Sequence, residues 1–157
     1  MKIRLLVLGK TNETFLRLAE EKYMSRLAHY VNVERQDLPD VKQGGQLGVE
    51  QLKRKEGQSI LALIKEDDVL VLLDERGEEL NSVQFSKWLE KKFQASSRRI
   101  TFCVGGAFGF SEEVYQRSNS KISLSKMTFS HQMVRMIFLE QLYRACTITK
   151  GEKYHHE

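Results

Sequence analysis

The chain has 157 residues and is poor in several features that often reveal a protein's class. One proline and ten glycines argue against collagen-like or linker-rich architectures. Two cysteines, Cys103 and Cys146, are too few for a disulfide framework or a zinc cluster, and their apolar neighbours favour buried, reduced thiols. No apolar run approaches the roughly 20 residues that span a bilayer. The remaining composition, 41% hydrophobic and 29% charged, is that of a soluble globular protein, and the length predicts one domain over residues 1–157.

Targeting signals and charge narrow the class only slightly. Met1 to Lys10 is a short apolar run with two basic residues and no small-residue cleavage site, so it predicts a strand rather than a signal peptide. Reduced cysteines are consistent with the cytoplasm. Twenty-five basic residues face 21 acidic ones, for a net charge of +4. That excess suits an anionic partner such as RNA, but charge alone favours a slightly basic protein with no nucleic-acid role.

Short apolar runs alternate with helical patterns along the chain. This order predicts an α/β fold with a mainly parallel sheet flanked by helices. The apolar run between Asp68 and Asp74 is typical of a central strand that is covered on both faces. The predicted strands are Ile3–Leu8, Val31–Leu38, Asp68–Asp74, Arg99–Val104 and Lys121–Ser125.

Five helical patterns follow the strands. Asn81 begins the third helix, with Gln84 as its capping-box partner, and Ser111 begins the fourth. The polar segment Asp40–Gly48 is the best candidate for a mobile loop. The apolar side chains that recur at helical spacing in the first helix are Phe15, Leu18, Ala19, Tyr23 and Leu27. The second helix is predicted over Val49–Ile64, and the last and longest over Thr128–Ile148.

Two connections after strands are candidates for a binding site. Gly105–Gly109 would let a ligand approach the backbone closely, but a plain tight turn explains these glycines equally well. No Gly-Lys-Ser/Thr follows them and no Gly-x-Gly-x-x-Gly is present, which disfavours a conventional nucleotide-binding loop. The connection Leu124–His131, taken alone, is a strand–helix link capped by Ser130 or Thr128.

Charged and titratable side chains leave alternatives open. Asp74-Glu75 would suit a ribose, but is more often the polar end of a buried strand. Arg135, on a largely apolar helix, favours a specific partner, whereas Glu140–Arg144 is typical of a solvated pair. Tyr154-His155 offers a stacking surface and a group that titrates near neutral pH, yet terminal residues are usually frayed. We see no metal-ligand set, so we expect no metal, and no Ser–His–Asp order or Cys–His pair supports nucleophilic hydrolysis.

Taken in order, the motifs resemble the RlmH family, small knotted methyltransferases of the SPOUT superfamily that modify ribosomal large-subunit RNA. The resemblance covers the whole chain. Each piece is weak alone, but their order and spacing are specific. The motifs are Val71-Leu72-Leu73-Asp74 with Gly77, Val104-Gly105-Gly106 with Gly109, Leu124-Ser125-Lys126-Met127-Thr128-Phe129 leading to His131, Val134-Arg135, Glu140 to Ala145, and Gly151 with Tyr154-His155.

The resemblance implies a SPOUT-like α/β sheet whose C-terminal chain passes through a trefoil knot, an exception to the rule against knots. It implies a cytoplasmic homodimer, with no membrane partner, that binds S-adenosylmethionine and releases S-adenosylhomocysteine. The implied reaction is methylation of N3 of a pseudouridine in 23S ribosomal RNA on assembled ribosomes. The cofactor-binding positions that it carries over are Leu73, Gly105, Leu124, Ser125, Lys126, Met127, Thr128 and Phe129.

Roles for the polar residues follow as hypotheses from this reaction. N3 must lose a proton, and we expect His155 or His131 to accept it. Tyr154 would orient or stack the base, and Arg135 and Arg144 would hold RNA phosphate or the C-terminal tail.

One departure and two alternatives accompany the resemblance. Many members carry proline just before the histidine, and we expect Ser130 in its place to loosen that loop slightly. SPOUT members share the cofactor loops and differ in substrate, so another rRNA or tRNA nucleotide is one alternative target. A non-catalytic ribosome-binding factor, which would not bind S-adenosylmethionine, is the other.

Overall fold

The computed structural model describes residues 2–41, 47–95 and 98–156. Strands and helices alternate along these residues, as the sequence predicts. The strands are β1 (Lys2–Leu8), β2 (Asn32–Leu38), β3 (Val69–Glu79), β4 (Ile100–Val104) and β5 (Ser120–Ser123). The helices are α1 (Thr14–Leu27), α2 (Val49–Leu61), α3 (Ser82–Ala95), α4 (Glu112–Arg117) and α5 (Met133–Thr149).

The five strands form one parallel sheet in the order β2-β1-β4-β3-β5. Successive residues of a strand face opposite sides, and β1 shows the consequence. Ile3, Leu5 and Val7 pack in one core with α1, α3 and α5, while Leu6 and Leu8 pack in a second core with α2 and α4. This confirms a parallel α/β sheet with helices on both faces. No helix within the described residues is long and apolar enough to cross a membrane.

Helix α1 follows its predicted apolar stripe only in part, since Leu27 is buried and Tyr23 packs against the first core but two other members are exposed. Phe15 and Leu18 are 62% and 60% exposed, whereas Glu20 is buried. The reason lies in tertiary partners, because the Glu20 carboxylate pairs with Arg35 of β2 and accepts a hydrogen bond from Thr11. The prediction that Phe15 and Leu18 face the core is therefore wrong.

Helix α5 begins at Met133, five residues later than predicted. The hydroxyl of Ser130 accepts a hydrogen bond from the Met133 N–H at 3.1 Å, and its carbonyl accepts one from the Val134 N–H at 3.0 Å. Ser130 thus satisfies backbone groups of the first turn, as a cap does. The residues from Leu124 to Gln132 form a crossing segment that is not helical.

The predicted starts of α3 and α4 differ in how well the structure matches them. The capping box is confirmed, since the Asn81 N–H donates to the Gln84 side chain at 2.9 Å and the Gln84 N–H donates to Asn81 at 2.8 Å. Ser111 does precede α4, but its buried hydroxyl has no hydrogen-bond partner within the described part of the chain. The loop predicted at Asp40–Gly48 falls largely on residues 42–46, outside the described residues.

Candidate functional site

A cleft lies beside the carboxyl ends of β4 and β5, where the middle of β3 passes between them. Its volume is about 260 Å³, which suits a small molecule more than a nucleic-acid strand. Three chain segments enclose it, namely the middle of β3, the turn between β4 and α4, and the segment between β5 and α5. Lining residues from them are Leu73 to Arg76, Val104 to Ala107, Gly109, Phe110, Leu124, Ser125, Met127 to Phe129, His131 and Val134, joined by Lys53 and Tyr115.

The turn after β4 presents backbone to this cleft. Gly109 has φ +84°, a conformation that favours glycine, and its N–H donates to the Gly106 carbonyl at 3.2 Å. A Cβ on Gly105 would lie 3.1 Å from the Phe110 ring, and one on Gly106 would lie 2.7 Å from the Glu56 carboxylate. Side chains at these two positions would therefore crowd their neighbours, and the glycines leave a close approach to the backbone.

Short polar side chains hold the segment after β5 against the middle of β3. The Ser123 hydroxyl donates to the Ser125 carbonyl, and the Ser125 hydroxyl accepts the Met127 N–H, both at 2.9 Å. The Thr128 hydroxyl donates to Glu75 at 2.8 Å. These bonds hold the segment that carries Leu124 and Phe129 beside Leu73.

An acid and a phenol form a bonded pair at the edge of the cleft. Asp74 accepts a hydrogen bond from the Tyr115 hydroxyl through one oxygen and from the Arg76 N–H, at 2.8 Å, through the other. Burial, with the hydrogen bond and charge of Asp74, raises the pKa of Tyr115 to about 12. Tyr115 is therefore a neutral donor at physiological pH, and it ties α4 to β3.

The cleft brings together most of the predicted cofactor-binding residues. Leu73, Gly105, Leu124, Ser125, Met127, Thr128 and Phe129 all line it. Lys126 does not line it, and its side chain is 83% exposed with its ammonium 3.6 Å from Glu79. The role of these residues as cofactor ligands stays a prediction.

His131 also lines the cleft, but Arg135 serves a different purpose from the one expected. Arg135 is fully buried. Its guanidinium donates to the carbonyls of Leu8 (2.6 Å), Gly9 (2.9 Å) and His131 (3.0 Å) and to the Thr11 hydroxyl (3.1 Å). This corrects the sequence-based assignment, because a buried guanidinium with four protein acceptors reaches neither RNA phosphate nor the tail.

The C-terminal tail folds back onto α5, away from the cleft lining of its own chain. The Tyr154 hydroxyl donates to Glu140 at 3.1 Å, and the Arg144 guanidinium stacks over the Tyr154 ring at 4.7 Å. Arg144 also lies 3.3 Å from His155 Nδ1, so it does hold the tail, as expected. Burial, followed by hydrogen bonds with Tyr23 and Glu140, raises the pKa of Tyr154. Neither Tyr154 nor His155 lines the cleft.

Sequence reasoning missed several residues of the cleft. Arg76 resembles part of the turn that ends a strand, and no local pattern connects Lys53 or Tyr115 with the glycine turn. Lys53 and Tyr115 arrive from α2 and α4, which contact one another across the second core. Only the packing of these two helices beside the glycine turn identifies both residues as part of the cleft.

Known proteins resemble this chain over its full length. The family model described as "Predicted SPOUT methyltransferase" matches residues 1–155. Relatives from Parabacteroides distasonis, Porphyromonas gingivalis and Bacteroides fragilis are 52%, 51% and 46% identical, and each alignment covers 157 residues, which is all of this chain and all of the relative. Each of these relatives is named ribosomal RNA large subunit methyltransferase H.

Proposed function

Since the chain belongs to the SPOUT methyltransferase family, we propose that it methylates N3 of a pseudouridine in 23S ribosomal RNA, with S-adenosylmethionine as the methyl donor. The observation that carries this proposal is the cleft at the carboxyl edge of the sheet, where seven of the eight expected cofactor positions meet. The relatives' shared name supports the choice of large-subunit RNA as substrate.

The chemistry of the cleft fits S-adenosylmethionine. Leu73, Leu124 and Phe129 offer apolar contact to a flat heterocycle, and the bare backbone at Gly105 allows close approach. Carboxylates suit both ribose hydroxyls and a positively charged sulfonium, and Asp74-Glu75 supplies two at the edge. When bound, this cofactor supplies a methyl group that needs no further activation.

The chain's own residues must then orient the base and accept its proton. His131 is exposed and lines the cleft, so it is our first candidate for the proton acceptor. His155 is the second candidate, with Tyr154 to stack or orient the base, and Arg144 holds both tail residues together. His131→Ala and His155→Ala, assayed separately across pH, identify the acceptor. Wild-type turnover by both variants at every pH would exclude both.

The working unit that we propose is a homodimer. Phe15 and Leu18 of α1 are exposed, and so is Met133 at the start of α5. The Gln132 side chain accepts a hydrogen bond from the Asn12 N–H at 2.9 Å, which places the start of α5 beside the residues that lead into α1. We propose that the three exposed side chains form one apolar patch there. A second copy covering this apolar patch would lie beside His131 and the cleft, where its tail would supply the Tyr154 and His155 that each cleft lacks.

The small positive net charge of the chain supports the assembled ribosome, rather than bare RNA, as the proposed substrate. A net charge of +4 is modest for an enzyme that grips bare RNA through phosphates. We therefore propose that the protein acts on assembled ribosomes in the cytoplasm, with weak binding to naked rRNA and with no metal.

A trefoil knot is the family trait that we propose for the backbone. The chain leaves β5 at the edge of the sheet, crosses the middle of β3 and the end of β4, and reaches β1, where Arg135 bonds Leu8. Pulling the protein from both termini in an optical trap tests this. A knotted chain stays shorter than its full contour length of roughly 3.3–3.6 Å per residue, and an unknotted one reaches it.

Labelled-methyl transfer tests the proposed reaction. Purified 70S ribosomes, separate subunits and naked 23S rRNA are each incubated with enzyme and labelled S-adenosylmethionine, and mass spectrometry locates the modified nucleotide. We expect N3-methylpseudouridine in ribosomal 23S rRNA and little label in naked RNA. Label in another rRNA or tRNA nucleotide would favour the alternative target, and no calorimetric binding of the cofactor would favour a non-catalytic factor.

A further inference from the structure

Phe108 occupies an unusual position at the rim of the cofactor cleft. Its side chain is 55% exposed, whereas its neighbours Ala107 and Gly109 both line the cleft. The Gly109 N–H bond to Gly106 and the positive φ of Gly109 hold this tight turn in one shape. Within the described residues the Phe108 ring stacks against no other aromatic ring. A rigid turn therefore presents a free aromatic face beside the reaction site.

Cationic and apolar groups complete the same rim. Arg76 lines the cleft and is exposed, and its guanidinium makes no hydrogen bond or ion pair with any described residue. Lys53 also lines the cleft, and among the described residues its ion-pair partner is the largely exposed Glu50, 3.5 Å from its ammonium. Met127, from the segment after β5, is 78% exposed. The neighbouring carboxylates each accept a hydrogen bond from a protein hydroxyl, Asp74 from Tyr115 and Glu75 from Thr128, and neither forms an ion pair with Arg76 in the described part of the chain.

We propose that Phe108 is a stacking platform for an unstacked RNA base next to the cofactor, with Arg76 on a neighbouring phosphate. Resting on the proposed function, this assigns residues that recognise the nucleic acid. An exposed ring beside cations matches single-stranded RNA, because bases stack on aromatic faces while phosphates pair with Arg and Lys. An apolar protein partner would leave the two cations without complementary charge. Phe108 would thereby hold the extruded nucleotide, and Arg76 would fix its backbone.

Substitutions of Phe108 separate stacking from simple hydrophobic contact. Phe108→Leu keeps an apolar side chain but removes the flat ring, and we expect KM for ribosomes to rise about 5- to 100-fold. Phe108→Trp, which keeps a flat aromatic ring, should have a KM near the wild-type value. The dissociation constant of S-adenosylmethionine, measured by calorimetry, should stay unchanged in both variants. Equal KM for the wild-type and Leu proteins, or a change of oligomeric state in sedimentation, would overturn the proposal.

Arg76 has a matched charge control on the far face of the sheet. We expect Arg76→Gln to raise KM and to reduce its salt dependence, since one phosphate contact is lost. Lys91→Gln removes one positive charge from an exposed position of α3 and should change neither quantity. Equal effects of the two substitutions would mean that only net charge matters, which would overturn the role of Arg76.

Photocross-linking provides a readout that does not need methyl transfer. Ribosomes whose 23S rRNA contains 4-thiouridine are bound to the wild-type protein and irradiated, and the adducts are digested and mapped by mass spectrometry. An adduct on Phe108 is expected, and adducts confined to other surfaces would contradict the platform. If the adduct forms but ribosomes receive no methyl group, the proposed reaction fails while the platform stands. Methylation with a wild-type KM for Phe108→Leu would instead support the reaction and overturn the platform.

Discussion

Among single residues, Arg135 is a buried charge whose partners are almost all backbone. Burial, aided by the charge of Arg35, lowers the pKa of Arg135, yet four acceptors surround its guanidinium. Through them it joins the end of β1 to the His131 carbonyl, at the edge of the cleft. Arg135 is therefore a positioning residue for the crossing segment.

Replacing Arg135 with lysine should cost stability first. One ammonium cannot reach four separated acceptors, so Arg135→Lys leaves buried carbonyls unpaired and should lower the free energy of unfolding by about 2–4 kcal/mol. Urea denaturation measures this loss. Arg144→Lys, at a partly exposed position, is the control and should cost less than about 1 kcal/mol. Unchanged stability with weaker RNA binding would instead return Arg135 to phosphate recognition.

Asp68 makes the fold sensitive to acid. Burial alone would raise the pKa of Asp68, but the hydrogen bonds of Arg99 and the Lys65 N–H, with the charges of Arg99 and Arg4, hold it below its ordinary value. A carboxylate with a lowered folded-state pKa adds stability above its unfolded pKa of about 3.9, and that stability is lost as pH falls through the folded-state pKa.

Urea unfolding between pH 7 and pH 3 tests this charge network. The free energy of unfolding of the wild-type protein should fall below about pH 4. That of Asp68→Asn should fall less, because the variant has no carboxylate at this position to protonate. At pH 7 the substitution should cost about 3 kcal/mol, because it leaves the buried Arg4 uncompensated. Asp67→Asn, at the exposed neighbouring position, should behave like the wild type. If the free energy of unfolding fell equally with pH in the wild type and in Asp68→Asn, the role of Asp68 would be contradicted.

Among the elements, β3 runs past its predicted end at Asp74 to Glu79. Its register with β5 shifts between Leu73 and Glu78, so that both face Ile122. Arg76-Gly77 resembles a terminating turn in sequence, but pairing with β5 supplies partners for the backbone beyond it. The capping box at Asn81 and Gln84 was predictable because it is local, whereas the extension of β3 depends on a strand about 45 residues away.

Gly77→Ala should weaken the β3–β5 pair. A Cβ on Gly77 would lie 2.6 Å from the backbone nitrogen of Ile122, and backbone cannot move aside as a flexible side chain does. We expect a loss of about 2 kcal/mol or more in urea denaturation, with weaker binding of S-adenosylmethionine, since β5 leads into Leu124. Gly48→Ala is the control, because no atom of the described residues beyond its chain neighbours lies within 4 Å of the added carbon. Equal stability of the two variants would rule out this steric effect.

For the molecule as a whole, the proposed dimer has composite sites, each with one chain's cleft and the other chain's tail. A complementation experiment tests this. If His155→Ala, like a Gly105 cleft variant, lacks methyl transfer when assayed alone, the two variants are mixed, unfolded and refolded together. About half of the refolded dimers then contain one chain of each variant. In each of these dimers one of the two sites carries neither substitution, so about a quarter of the wild-type activity should return. No recovery would mean that each tail serves its own chain.

Sequence patterns alone were enough to predict the alternation of strands and helices, the glycine turn after β4 and the family to which the chain belongs. These features are local, and the spacing of side chains along the backbone encodes them directly. Packing was needed to establish that Arg135 is buried, that Phe15 and Leu18 are exposed, and that Phe108 stands free beside the cleft. Each of these outcomes depends on which distant segments meet, because burial and charge pairing are properties of the packed sheet rather than of any window of sequence.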